Sequence, residues 1–123
     1  KEIEFNNCKL TGTSFITCHF NNLKITNSIC RYLNIVDTKT KELIINDSDL
    51  SESSFFNIEL LKEKLNNVNL FKCEFIETPL SGVDLSTSNI SGIRLNTDLI
   101  KGAKINMMQA IDLISLLNVE IIE

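Results

Sequence analysis

Apolar residues recur along this chain with a period of five. From Phe5 to Ile105, every fifth residue is apolar except Thr40, and we call these residues the central positions. Neither the roughly 3.6-residue period of a helix nor the alternation of a half-buried strand accounts for the chain as well. The period predicts a short unit that is repeated along most of the sequence.

A second position, two residues before each central one, is also mostly small or apolar, as at Cys8, Ser28 and Val68. The other positions of each unit are mostly Asn, Asp, Ser, Thr, Lys, Glu or Gly, which favour turns. We therefore expect a chain that bends every few residues and points both kinds of inward position into a core.

The units Val83-Asp84-Leu85-Ser86-Thr87 and Ser88-Asn89-Ile90-Ser91-Gly92 resemble the A(D/N)LXX units of the pentapeptide-repeat family. The resemblance covers about residues 1–105. It implies an all-β solenoid, a right-handed quadrilateral β-helix of about five coils with a short C-terminal α-helix. We therefore expect a repeat β-helix over residues 1–105 and a capping helix and tail over 106–123.

In such a fold, central residues stack in columns at a spacing of twenty residues, as in the column Phe15, Ile35, Phe55, Phe75 and Leu95. Backbone hydrogen bonds run between coils about 4.8 Å apart, so an uncovered end would leave unpaired groups. Because Lys1 already lies in the repeat register, we expect further residues before it.

Polar residues interrupt the inward positions at Thr38, Thr40, Glu63 and Asp98. An unpaired buried carboxylate is costly, so we expect the chain to swing Glu63 outward. A local bulge or loop is the simplest interpretation of the breaks at Thr38–Thr40 and Glu63, and at Asp98 we expect the last coil to loosen.

Residues 106–117 switch to a helical period, with Asn106 and Gln109 in capping-box spacing and Asn118 suited to a left-handed end. The apolar arc is wider than one contact surface needs. Related proteins dimerise through this end, which favours a homodimer; the alternative is a helix folded wholly onto its own rod. The predicted dimer interface comprises Leu113, Ile114, Leu116, Leu117, Val119 and Ile121.

An outward column also carries apolar residues on successive coils. It consists of Ile16, Val36, Phe56 and Ile76, which we call the apolar stripe. A contiguous exposed apolar patch marks an interaction site more often than scattered residues do. The stripe is therefore the candidate partner surface, and we expect it to meet either a partner or an N-terminal segment that precedes Lys1.

Composition argues against catalysis and direct nucleic-acid binding. The net charge is −4 and the pI about 5.0, which disfavours a large basic surface. The single histidine, His19, has no acid or nucleophile arranged around it, and no cofactor motif is present. We expect no enzyme activity, no cofactor, no metal site and no membrane span.

The four cysteines lack the paired spacing of zinc ligands. Each falls where the repeat needs a small or apolar side chain. Buried, reduced thiols in a cytoplasmic protein are the expectation.

Two functions remain. One is a rigid protein-interaction scaffold. The other is implied by the family resemblance: a DNA mimic that binds DNA gyrase or topoisomerase IV, the type II topoisomerases, and modulates quinolone sensitivity. Mimicry needs an acidic surface along the rod, yet outward acidic and basic residues nearly balance on each predicted face. The charges favour the scaffold.

Overall fold

A computed structural model describes residues 2–123, apart from the side chains at positions 60 and 61. This part of the chain is a β-solenoid of about five turns followed by a short helix, which confirms the predicted fold. Its strands are β1 (Glu2–Asn6), β2 (Ser14–Ile16), β3 (His19–Thr26), β4 (Asn34–Val36), β5 (Lys39–Asn46), β6 (Ser54–Phe56), β7 (Glu59–Asn66), β8 (Glu74–Ile76) and β9 (Arg94–Leu95).

The strands form two parallel sheets, of order β1-β3-β5-β7 and β2-β4-β6-β8-β9. A third ladder consists of single bridges that begin with Lys9↔Ile29 and Ile29↔Asp49. The paired residues in each ladder are one coil apart, as in Phe5↔Ile25 and Phe15↔Ile35. This constant step places each central side chain on the one before it and produces the predicted core columns.

Most corners of the coil are residues in the left-handed backbone region. Asn7, Asn27 and Asn67 occupy one such column, with φ of 57°, 49° and 53°. Asparagine tolerates this conformation better than most residues. The corner at Asn22 and Glu42 is different, because the long strands β3 and β5 run through it.

Inward hydroxyl groups take part in the hydrogen bonding between coils. The Ser28 N–H donates to Ser48 Oγ (3.1 Å), and Ser48 Oγ donates to the Asn46 carbonyl (2.9 Å). Thr38 Oγ1 likewise accepts from the Cys18 N–H (3.4 Å) and donates to the Val36 carbonyl (3.0 Å). A hydroxyl at this inward position therefore satisfies one backbone group in its own coil and one in the preceding coil.

The bulge predicted at Thr38 and Thr40 is wrong. Both residues are buried, and β5 pairs in register with β3 and β7. Thr40 Oγ1 donates to the Glu42 carbonyl at 2.9 Å. Because each hydroxyl has a backbone partner, neither residue needs to leave the core.

The outward swing predicted for Glu63 is also wrong. Glu63 pairs in register with Leu43. Turning Glu63 outward would require a one-residue shift of β7, which would also move its apolar residues to the outside. Its half-buried side chain lines a largely apolar interior cavity of about 40 Å³ together with Leu43, Leu65 and Val83. Burial raises the pKa of the Glu63 carboxyl.

The sheet that contains Glu63 ends at β7. In earlier coils, the Lys39 N–H donates to the Cys18 carbonyl and the Glu59 N–H donates to the Thr38 carbonyl. The equivalent residue of the next coil is Pro79, which has no N–H to donate. The chain then turns at Gly82, which has φ +81°, where the earlier coils are extended. The change of corner leaves β7 at the edge of its sheet.

The last coil is less regular, as expected around Asp98: residues Thr97–Ile100 form a 3-10 helix. Helix α1 spans Met107–Ile114 and is followed by a 3-10 turn over Ser115–Leu117. The helix is therefore shorter than the predicted helical segment, although Asn118 has the expected left-handed φ of 53°.

The predicted capping box is confirmed. Asn106 Oδ1 accepts from the Gln109 N–H, and Gln109 Oε1 accepts from the Asn106 N–H, each at 2.9 Å. Gln109 is only 4% exposed. Its Nε2 also donates to the carbonyls of Leu85 and Ser88, at 2.7 Å each, so one side chain starts the helix and fastens it to the rod.

Candidate interaction surfaces

The apolar stripe lies on the sheet of β2, β4, β6 and β8. Its members are paired in register from coil to coil, Ile16 with Val36, Val36 with Phe56, and Phe56 with Ile76. Ile16 is 59% and Phe56 45% exposed, while Val36 and Ile76 are half-buried. The sheet therefore holds four apolar side chains in one row that remains accessible from outside the rod.

The inner side of the same sheet is packed with aromatic and aliphatic residues. The rings of Phe55 and Phe75 stack with centroids 4.7 Å apart and planes 8° from parallel, and Ile35 is buried in the same column. Close packing beneath the sheet restricts motion of the strands. The apolar stripe is consequently backed by packed core side chains.

Carboxylates lie on both sides of the stripe. Glu74 precedes Ile76 by two positions on β8, and Glu77 and Asp37 occupy the left-handed corner that follows β8 and β4. We call Asp37, Glu74 and Glu77 the acidic rim. The two ion pairs recorded for the described residues, Arg31–Glu52 and Lys39–Glu59, involve none of the three.

The residues predicted for the dimer interface are found in different environments. Leu113 packs against the hydrophobic core of the rod and lines a cleft of about 230 Å³ together with Ile114, Leu116 and Leu117. Leu117 is largely exposed, and so are the tail residues Val119 and Ile121. Leu113 is thus partly buried within one chain, whereas the tail presents apolar side chains to solvent.

The predicted interface leaves out other apolar residues at this end, although Met107 and Ile111 belong to the wide apolar arc seen in the sequence. Met107 is 86% and Ile122 79% exposed, and Met108 and Ile111 also point to solvent. The capping interaction of Gln109 could have indicated this arrangement, because a helix fastened through Gln109 and Leu113 must turn the side that carries Met108 and Ile111 outward.

The cysteines and the histidine offer little for catalysis. All four cysteines are free; Cys30 and Cys73 are buried, but Cys8 and Cys18 are only half-buried, so the burial predicted for them is incomplete. Burial raises the pKa of the Cys30 thiol to about 11 and that of Cys73 to about 12, which keeps both protonated and unreactive at neutral pH. His19 is exposed at the start of β3.

Among residues 2–123, no three His, Cys, Asp or Glu side chains are grouped so that they could hold a metal ion. Within the same range, neither the α-helix nor the 3-10 turns have the length and apolar content needed to cross a membrane.

Comparison with known proteins gives a likeness to solved structures. No family model and no curated protein matches the chain. Among solved structures, the chain is similar to a trypsin-treated variant of QnrB1, a plasmid-mediated fluoroquinolone resistance protein. The two are 15% identical over 100% of each chain, with a TM-score of 0.25. Similarity at this level says nothing about what the chain binds.

Proposed function

We propose that the chain is a non-enzymatic pentapeptide-repeat protein that acts as a rigid protein-interaction scaffold and docks a partner on the apolar stripe. The observation that carries the proposal is the in-register row of Ile16, Val36, Phe56 and Ile76 on a tightly packed sheet. Burial of such a row releases water from apolar surface at little entropic cost to a rigid protein.

Affinity capture from the cells that express the protein tests this function. The bait carries Ile16→Asp together with Phe56→Asp, and the matched control carries Asn21→Asp together with Asn66→Asp, at two exposed positions on the other sheet. We expect partners captured by the wild-type and control baits to be lost from the stripe variant. Circular dichroism would show that all three baits are folded, and retention of every partner by a folded stripe variant would refute the proposal.

The alternative that the resemblance implies is DNA mimicry directed at a type II topoisomerase. A mimic needs a strongly acidic surface, whereas exposed cations such as Lys9, Arg31, Lys39 and Lys72 lie among the carboxylates of this rod. A gyrase supercoiling assay with and without quinolone decides between the two. The scaffold predicts neither inhibition nor protection; either effect at stoichiometric concentrations would favour mimicry.

We also propose that two copies associate through the C-terminal end in the cytoplasm. Support comes from the exposed apolar side chains of Met107, Ile111 and Ile122, because a cluster of exposed apolar side chains marks an interaction site. Size-exclusion chromatography with light scattering should give twice the chain mass for the wild type. Ile111→Asp should yield the monomer, and Lys41→Asp on the rod should remain dimeric. A wild-type monomer at high concentration would contradict this proposal.

A further inference from the structure

The apolar stripe has a length that distinguishes between kinds of partner. Its side chains lie on four successive coils, from Ile16 to Ile76. Coils pair at about 4.8 Å, so the row is about 14 Å long. The distance between neighbouring apolar contacts is therefore set by the coil spacing.

An α-helix matches this spacing. With a rise of about 1.5 Å per residue, apolar residues at i, i+3, i+7 and i+10 span about 15 Å, which gives one contact for each coil. A strand places side chains on one face about 6.8 Å apart, so two of its steps cover about the length of the row and its side chains would meet only the two ends of the row. The periodicity of the stripe favours a helix.

The acidic rim specifies the charge of that helix. Ile76 lies between Glu74 and Glu77, and Asp37 follows Val36 directly. Asp37 Oδ1 accepts a hydrogen bond from Asn57 Nδ2 at 2.8 Å, which holds this carboxylate beside the stripe. Arg94 follows Glu74 in the same column, but one coil beyond the last stripe residue. Lys or Arg residues that flank an apolar face would therefore lie opposite carboxylates.

A second copy of the chain fits less well. In a two-fold pair, the stripe of one copy would face the stripe of the other, and both acidic rims would enter one interface. Like charges brought together in this way oppose association.

We infer that the apolar stripe is a docking site for a basic amphipathic helix of a partner protein, with its apolar face on Ile16, Val36, Phe56 and Ile76 and its Lys or Arg residues against the acidic rim. The inference rests on the proposed scaffold function and adds the class of partner.

The test uses two stapled, fluorescently labelled helical peptides with Leu at i, i+3, i+7 and i+10. One carries Lys and the other Glu at the flanking positions. Fluorescence anisotropy with the full chain should show the Lys peptide binding about tenfold more tightly at low salt, with the difference shrinking in high salt as charges are screened. Glu74→Lys combined with Glu77→Lys should reverse the preference.

Two further variants separate the contributions of stripe and rim. Phe56→Ser should weaken both peptides about tenfold, since it removes a central apolar contact, while Glu4→Lys on the other sheet should change neither. Equal affinity for the two peptides, a preference that survives reversal of the rim, or no binding of either peptide would overturn the inference. If the scaffold function is right but the partner is not a basic helix, the peptide test fails while the affinity capture still loses its partners in the stripe variant. Failure of this inference can therefore be distinguished from failure of the proposed function.

Discussion

At the scale of single residues, inward hydroxyl groups are part of the framework. Ser48 is buried, and its Oγ is the partner of the Ser28 N–H. Ser48→Ala should lower the free energy of unfolding by about 1–3 kcal/mol, because it leaves a buried donor unsatisfied. Urea denaturation measures the change. Ser14→Ala, which alters an exposed serine on β2, is the control. An equal effect of the two substitutions would contradict the role of inward hydroxyl groups in the hydrogen bonding between coils.

Glu63 is the opposite case, an inward residue that destabilises the rod. Glu63→Leu should raise the free energy of unfolding at neutral pH by about 1–2 kcal/mol, because it restores an apolar side chain between Leu43 and Val83. Urea denaturation again gives the value. Lys64→Gln, at an exposed position on the same strand, should leave stability unchanged.

The pH dependence of the Glu63 effect has a definite sign. Burial raises the pKa of Glu63 in the folded state, so the folded protein binds more protons than the unfolded chain between the ordinary and the raised pKa. The contribution of Glu63 to folding stability is therefore lost as the pH rises from the ordinary to the raised pKa. The advantage of Glu63→Gln over the wild type should be largest at neutral pH and vanish below the ordinary carboxyl pKa. An advantage that is independent of pH would contradict burial of the charge.

At the scale of elements, attachment of α1 depends on Gln109. Its side chain makes hydrogen bonds to Asn106, Leu85 and Ser88. Gln109→Ala should lower the free energy of unfolding by about 2–4 kcal/mol, since it removes the helix cap and takes the Gln109 partner from the Ser88 carbonyl. Thermal and urea denaturation measure the loss, with the exposed Met108→Ala as control. A loss no larger than that of the control would show that the helix is held mainly by apolar contacts.

At the scale of the whole molecule, each coil is stabilised by its neighbours. Strand β5 is paired on both sides, whereas β7 is the last strand of its sheet. Amides of residues 62–66 should therefore exchange with solvent at least about tenfold faster than those of residues 42–46. Hydrogen exchange followed by NMR or mass spectrometry measures the ratio. Equal protection would mean that the coil after β7 completes the ladder in solution.

Much of this architecture is predictable from local pattern. The central positions define the core columns, and the spacing of Asn106 and Gln109 predicts the capping box. The interpretation of Thr38 failed because a polar inward residue is costly only when it lacks a partner, and its partners are backbone groups of Val36 and, one coil away, Cys18. The apolar stripe was predictable because a column of outward residues follows from the coil length alone.

The sequence by itself determined the five-residue unit and the coil length, because the core columns keep mostly apolar side chains at a fixed spacing. It determined the closing helix as well, because the period changes after residue 105. Only the tertiary structure decided that Thr38 stays inside, that Glu63 lines a cavity, that the first sheet ends at β7, and that Met107 and Ile122 remain exposed. The physical reason is common to these features. Backbone hydrogen bonds and side-chain contacts run between coils, so the environment of each residue depends on the corners and partners of the neighbouring coils.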